Sequence, residues 1–400
     1  MFNKFCSSAI ICAAIIVAGC ASKPPQNRES VADRTAYQAQ YRNDLYREVE
    51  RRNARSLALN LDRCTDQGGP GRVTRVDPGA SLLTRGDLLD VRIGDDETLS
   101  GPAEVSQDGT VRLPHLSRIR AHGSTVDRIE DEIRRKLVAE GLYRVAPRVS
   151  VRVADQASAQ VHVAGAVFDP GAVIVGGVRG DEIDRARQDA VGAASASRTL
   201  ARALASAGGI RPDADLSRVV IRRGKSRLVV DARPAMVGKR FDNLVLIADD
   251  EIEIPSRKCF QEALMVPSPL TAPGVKVFMS NLTKPADSNA LSNIDRDTRE
   301  LRYGTRFIQA VVGMNCVGGT AATNAARYAV LFSRNPITNE SIVIERSLED
   351  LLRRRDRDEL DPYILPGDAI ACYDSTVTNI VDVAKSITTV FAGALGFLAL

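Results

Sequence analysis

Apolar residues recur along the middle of this chain at strand and helix spacings, and the two ends break the pattern. Leu88-Leu89-Asp90-Val91-Arg92-Ile93 reads as a short strand, and "RVSVRV" at 148–153 alternates as a half-buried strand does. Between them, Gln107-Asp108-Gly109-Thr110 predicts a turn whose Asp-Gly supplies positive φ, followed by the strand Val111-Arg112-Leu113. Ser124-Thr125-Val126-Asp127 has the form of a capping box with Asp in place of Glu. The helix it opens places Val126, Ile129, Ile133 and Leu137 on one stripe, and Gly141 ends it.

The next stretch reads as a unit that occurs twice. "VHVAGAVFDPGAVIV" predicts a strand pair around the turn Asp169-Pro170-Gly171. Leu200, Ala203, Leu204 and Ala207 make a small helix stopped by Gly208-Gly209. "RVVIRRG", "RLVVD" and "DEIEIP" supply further strands. A looser copy starts near Lys276: aligning Pro285 on Pro170 puts Phe278, Ser280 and Leu282 onto Val163, Gly165 and Val167. Phe307, Ile308, Val311 and Val312 then repeat the apolar positions, with Gly318-Gly319 as the stop. "RYAVLFSR", "SIVIERS" and Leu365-Pro366-Gly367-Asp368-Ala369-Ile370 complete the copy. Residues 176–198 and 283–304 interrupt the copies and read as exposed loops.

At the C-terminus, the roughly 25 residues from Thr376 would span about 37 Å as a helix, enough to cross a hydrocarbon core of about 30 Å. At about 100° per residue, Thr378, Asp382, Lys385, Thr389, Gly393 and Gly396 share one arc. Ile380, Val383, Ile387, Val390, Phe391, Ala394 and Leu398 share the opposite arc. A lone charge at mid-membrane costs about 2.5–3.5 kcal/mol, so such a helix needs a wet side. It can lie flat in the interface, pack on its own domains, or join copies in a ring whose polar arcs face water.

The other end is a leader. Lys4, the apolar run Phe5–Ala18 and the small residues before Cys20 have the layout of a signal peptide. Val17-Ala18-Gly19-Cys20 resembles the lipobox of bacterial lipoproteins, which implies acylation of Cys20 (a palmitate-type lipid) as the mature N-terminus. Ala21 after it implies, by the same resemblance, sorting to the outer membrane. Residues 21–34 then read as a tether and Thr35 to about Leu61 as a helix, with Tyr37, Tyr41, Leu45 and Val49 in register. Cys64, Cys259, Cys316 and Cys372 remain in a disulfide-permissive compartment, where four thiols allow about three pairings.

Composition removes several classes. The net charge of +4 is small and its basic residues are scattered, which argues against nucleic acid. The densest basic run, Arg353-Arg354-Arg355, sits among acids and reads as a solvated helix end. His115, His122 and His162 have no nucleophile or acid at a motif spacing, so no enzyme, cofactor or metal site is expected. With no Trp and 4% aromatics, a tight sugar-binding site is not expected either.

The block from Leu82 to Val153 resembles the export domain of bacterial outer-membrane polysaccharide export lipoproteins. Gly86-Asp87, Leu99, Asp108-Gly109-Thr110, Leu113-Pro114, Gly123-Ser124-Thr125 and Pro147 carry the resemblance, in order. The repeated unit resembles the soluble-ligand-binding β-grasp (SLBB) domain that follows in that family. The resemblance implies an α+β chain: signal peptide 1–19, tether and helix 20–75, export domain 76–156, β-grasp domains 157–258 and 259–375, and a C-terminal amphipathic transmembrane helix 376–400. It implies a homo-oligomeric ring whose terminal helices form an α-helical barrel, conducting capsular or exopolysaccharide from periplasm to surface. Thr378, Asp382, Lys385 and Thr389 would then line the pore. Eight helices with axes about 9–10 Å apart give a ring about 24 Å across and a lumen near 14 Å, which suits an extended sugar chain. The resemblance also implies an inner-membrane polysaccharide co-polymerase as partner. The competing reading is a monomeric periplasmic lipoprotein whose β-grasp domains capture a soluble ligand.

Overall fold

The computed structural model describes Cys64 and residues 82–94, 96–176, 198–281, 299–313, 327–337, 339, 341–353 and 357–374. Cys20, the expected helix near 35–61, Cys316, Gly318-Gly319 and the tail from Thr376 lie outside the described residues. Among the described residues, no helix is long and apolar enough to cross a membrane. The architecture is mixed α+β, with several sheets in two compact units, Cys64–Pro273 and a second beginning at Gly274. The first unit therefore runs past the boundary at 258/259 read from the sequence.

In the first unit, strands β1 (Leu88–Ile93), β2 (Asp96–Glu104) and β5 (Val149–Asp155) form an antiparallel sheet in the order β2-β1-β5. A hairpin of β3 (Thr110–Val111) and β4 (Ile119–Arg120) stands beside it. Helix α1 (Val126–Ala139) closes the layer, because Ile129, Ile133 and Leu137 share one face and meet Leu89, Val91 and Ile93 in one core. Its cap differs from the expected box. Thr125 is the N-cap and its Oγ1 accepts from Arg128 N at 3.4 Å, so the third helical residue is Arg128 and Asp127 sits too early to reach back. The expected strand Val111–Leu113 is shorter too, since Leu113 already turns, its carbonyl accepting from Leu116 N.

The same unit holds a five-stranded sheet of β6 (Ala159–Gly165), β7 (Gly171–Val175), β8 (Val219–Arg223), β9 (Ser226–Val230) and β10 (Glu251–Ile254). Their order is β7-β6-β10-β8-β9, with β6 and β10 parallel and the other pairs antiparallel. Helix α2 (Leu200–Ser206) buries Leu200, Ala203 and Leu204 against it. Gly208 and Gly209, both at positive φ, turn the chain where a Cβ on Gly209 would meet Ala272 N at 2.2 Å. Leu264 and Leu270 join the same core, and a disulfide links Cys259 to Cys64.

The second unit repeats that topology. Strands β11 (Gly274–Asn281), β12 (Arg299–Arg302), β13 (Arg327–Arg334), β14 (Ser341–Ser347) and β15 (Ala369–Asp374) order as β12-β11-β15-β13-β14, with the central pair β11 and β15 parallel. Helices α3 (Phe307–Gly313) and α4 (Leu348–Arg353) accompany it. Three expectations change here. Residues 299–302, read as loop, pair with β11 as an edge strand. On α3 the buried face is Phe307, Ala310 and Val311, while Val312 is exposed.

The third change is one of register. In β6 and β10, His162 pairs with Glu251; in β11 and β15, Phe278 pairs with Ala369. Because Glu251 and Ala369 each begin their strand directly after an Asp, Phe278 is the counterpart of His162 rather than of Val163. A one-residue slip exchanges the faces of a strand, so Phe278 points outward, at 52% exposure.

Candidate functional site

Each of the three larger sheets contains a strand that follows the same local device, an Asp whose carboxylate caps its own turn. Asp87 Oδ2 accepts from Thr84 N at 2.7 Å, Asp250 Oδ2 from Ile247 N at 2.9 Å, and Asp368 Oδ2 from Leu365 N at 2.9 Å. The preceding residue has positive φ in every case: Gly86 at 85°, Asp249 at 67° and Gly367 at 86°. A bond over three residues folds the chain back and then releases it into the strand. All three carboxylates are buried, at 0–1% residue exposure, so each needs an answer to its charge.

Asp87 obtains the fullest answer. Arg198 Nη1 donates to its Oδ1 at 2.9 Å, and Ala157 N donates to the same oxygen at 2.9 Å. Arg198 Nη2 reaches Leu82 O at 2.9 Å, and the guanidinium is 1% exposed. The pair ties the three-stranded layer to the turn that begins α2. Thr84 Oγ1 accepts from Ala248 N at 2.9 Å, and Arg85 pairs with Asp249 at 2.7 Å, adding links along the same seam. Arg198 closes the stretch read as an exposed loop, and that reading fails at this residue: a single Arg at the end of a polar run carries no sign of its burial. Gly86 has its own reason, since a Cβ there would lie 2.9 Å from the Ala157 Cβ.

Asp250 is held by Arg223, whose Nε and Nη2 reach its two oxygens at 2.9 and 2.7 Å. The register sets Ser333 of β13 where Arg223 stands in β8. Ser333 Oγ donates to Asp368 Oδ1 at 2.6 Å, and among the described residues no cation pairs with that carboxylate. Burial therefore pushes Asp368 up to about 7, against the two hydrogen bonds that lower it. Asp361 in the same unit is also raised by burial, to about 6, although Ile308 N donates to it at 2.8 Å.

The remaining motif residues form the rim of the three-stranded layer. Gly86 N donates to Val105 O and Val105 N to Asp87 O, while Ser106 N donates to Thr110 O and Gly109 N to Ser106 O. Val105-Ser106 thus joins Gly86-Asp87 to Asp108-Gly109-Thr110, with Asp87 inside and Asp108 on the surface. Asp108 Oδ1 accepts from Thr110 Oγ1 at 2.7 Å and Thr110 N at 3.0 Å, which lowers its pKa, with Arg112 and Arg118 nearby lowering it further. Gly109 turns at φ 75°, where a Cβ would sit 2.9 Å from His122 Cβ. Pro114 is exposed, and the loop after it is fastened to α1 by Ser117, which donates to Glu140 Oε1 at 2.5 Å. His122 is half-buried at the seam, and among the described residues its Nδ1 has no hydrogen-bond partner; burial first, then Arg85, lowers its pKa.

These groups are joints and caps. Among the described residues, no cluster of His, Cys, Asp or Glu is placed to hold a metal ion. Cys372 is also disulfide-bonded.

Residues 76–154 match the protein family described as polysaccharide biosynthesis/export protein. The match covers the three-stranded layer, its hairpin and α1. This chain therefore carries a polysaccharide biosynthesis/export domain, and Gly86, Asp87, Asp108, Gly109, Thr110 and Pro114 all fall within it.

Proposed function

We propose that this chain is a ring-forming lipoprotein that passes a capsular or exopolysaccharide through the outer membrane. The observation that carries the reading is the pairing of an export domain at 76–154 with a tail striped by Asp382 and Lys385. Cys20 anchors each subunit, and the repeated five-stranded units are its β-grasp domains. Polar arcs bearing Thr378, Asp382, Lys385 and Thr389 face a wet lumen, where charge keeps its hydration, and the apolar arcs face lipid. The chain's part is passage, without a bond made or broken. A wall poor in flat aromatic surface holds sugar weakly, as conduction requires. An inner-membrane co-polymerase delivers the polymer to the export domain.

The test is mass and secretion together. Detergent-extracted protein should run as one large closed oligomer, and deletion of 376–400 should abolish surface polysaccharide. Asp382→Leu with Lys385→Leu should cut export sharply while leaving the lipidated protein in the membrane. A monomer of this chain's mass, or normal export without the tail, overturns the proposal in favour of a periplasmic ligand-binding lipoprotein.

A further inference from the structure

The two five-stranded units share strand order and register, so their outward faces can be compared position by position. In the first unit one outward row reads His162, Glu251, Arg222 and Arg227, all exposed. Arg222 there pairs with Glu253 at 2.9 Å and lies 4.0 Å from Glu251, so that face neutralises itself. In the second unit the same row reads Phe278, Ala369, Phe332 and Val343. Phe278 and Phe332 are 52% and 41% exposed. The fold does not require apolar side chains at these positions, because the first unit forms it with charged ones.

What surrounds the two rings indicates what they meet. They stand on β11 and β13, either side of the central strand β15, so their Cα positions lie about 9–10 Å apart. Between them stand the small residues Ala369 of β15 and Gly367 of the turn before it, where the first unit has Glu251 and Asp249. That gap admits two carbon contacts of about 3.5–4.0 Å with a chair-shaped ring between them. One residue pair further along the same face stand Lys276 and Arg334, both exposed. Glu300, opposite Lys276 on β12, turns its carboxylate over Gly274. Among the described residues, Arg334 reaches only Asn339, at 3.4 Å.

We propose that this face of the second unit, formed by Phe278, Phe332, Lys276 and Arg334, is a weak binding site for acidic sugar residues such as uronates. The ring faces take the apolar face of a pyranose, and the two cations take its carboxylate. The first unit, with its own carboxylates in the trough, repels the same ligand. The assignment rests on the reading of this chain as a polysaccharide exporter.

The test uses the full chain in detergent, an oligogalacturonate as probe and a maltooligosaccharide of equal length as neutral control, followed by saturation-transfer NMR and titration. The acidic oligomer should bind more tightly than the neutral one, and its affinity should fall with added salt. Phe278→Leu with Phe332→Leu keeps apolar area but removes the flat rings, and should weaken binding about tenfold. Lys276→Gln with Arg334→Gln should bring the two oligomers to parity. Phe278→His, Ala369→Glu and Phe332→Arg, which copy the first unit in the same register, should abolish binding while the fold persists. Absence of binding, equal affinity for both probes, or unchanged affinity in the leucine pair overturns the proposal. So does loss of the oligomer in the His/Glu/Arg variant with its retention in the leucine pair, which would make the face a contact between copies. Binding is read on purified protein, so its failure leaves the secretion test of the conduit untouched.

Discussion

Removing the Arg198 guanidinium would leave the Asp87 carboxylate buried with only the Thr84 and Ala157 amides to hold its charge. Breaking one side of a buried pair commonly costs about 3–5 kcal/mol, so Arg198→Met should lower the unfolding free energy of the first unit by that scale, read from a lower urea midpoint. Arg198→Lys should recover little, because one ammonium cannot donate to both Asp87 and Leu82 O in the fork that Arg makes. The second unit differs because Ser333 replaces an arginine. Burial raises the folded-state pKa of Asp368 to about 7 from its ordinary value of 3.8. Between those values the folded form binds the proton and the unfolded form does not. Stability from this group is present below the unfolded pKa and is lost as pH rises through about 7. Asp361 adds the same sign up to about 6. Denaturation midpoints of the second unit should therefore fall from mildly acidic to neutral pH, and Asp368→Asn should flatten most of that slope.

Whole elements were legible where one physical signal dominated. Strand β1 has the bounds read from its residues, and α1 follows from a stripe of Ile129, Ile133 and Leu137. The start of α1 was less legible because Ser124 and Thr125 are both good caps; backbone geometry selects Thr125. Thr125→Ala should cost about 1 kcal/mol in thermal unfolding and Ser124→Ala much less. Register in β11 was obscured because Val275, Val277 and Met279 alternate with the equally apolar Phe278. Alternation cannot orient a strand whose two faces are both apolar at the decisive position. Pairing with β15 supplies the missing information, and the Asp turns before β10 and β15 give the correct alignment. That turn was visible in sequence as an Asp following Gly or Asp just before a strand. Its partners, Arg198, Arg223 and Ser333, lie far along the chain, and their meeting depends on the sheet pairing.

At the scale of the whole molecule, the export domain and a disulfide lie in one unit. The export domain occupies 76–154, and a disulfide between residues 195 apart in sequence joins Cys64, at the start of the unit containing it, to Cys259. Closing so long a loop constrains the unfolded chain, with typical effects of about 2–4 kcal/mol. Cys64→Ser with Cys259→Ser should therefore lower the melting temperature of the first unit, and added reductant should do the same to the native chain. The export domain was readable from the Asp-Gly-Thr and Gly-Asp motifs, and the matching strand order of the two five-stranded sheets from the repeat. The pairing of cysteines was not, since four scattered thiols carry no order of their own.

The Cys64–Cys259 bond also decides where tension travels. If the chain is tethered by lipid before Cys64 and gripped by a membrane after Asp374, a pull between those points crosses the sulfur bridge directly. The export layer and the first five-stranded sheet sit inside the closed loop, off the loaded path. Stretching the oxidised protein between its ends should spare them, and stretching the reduced protein should unravel them.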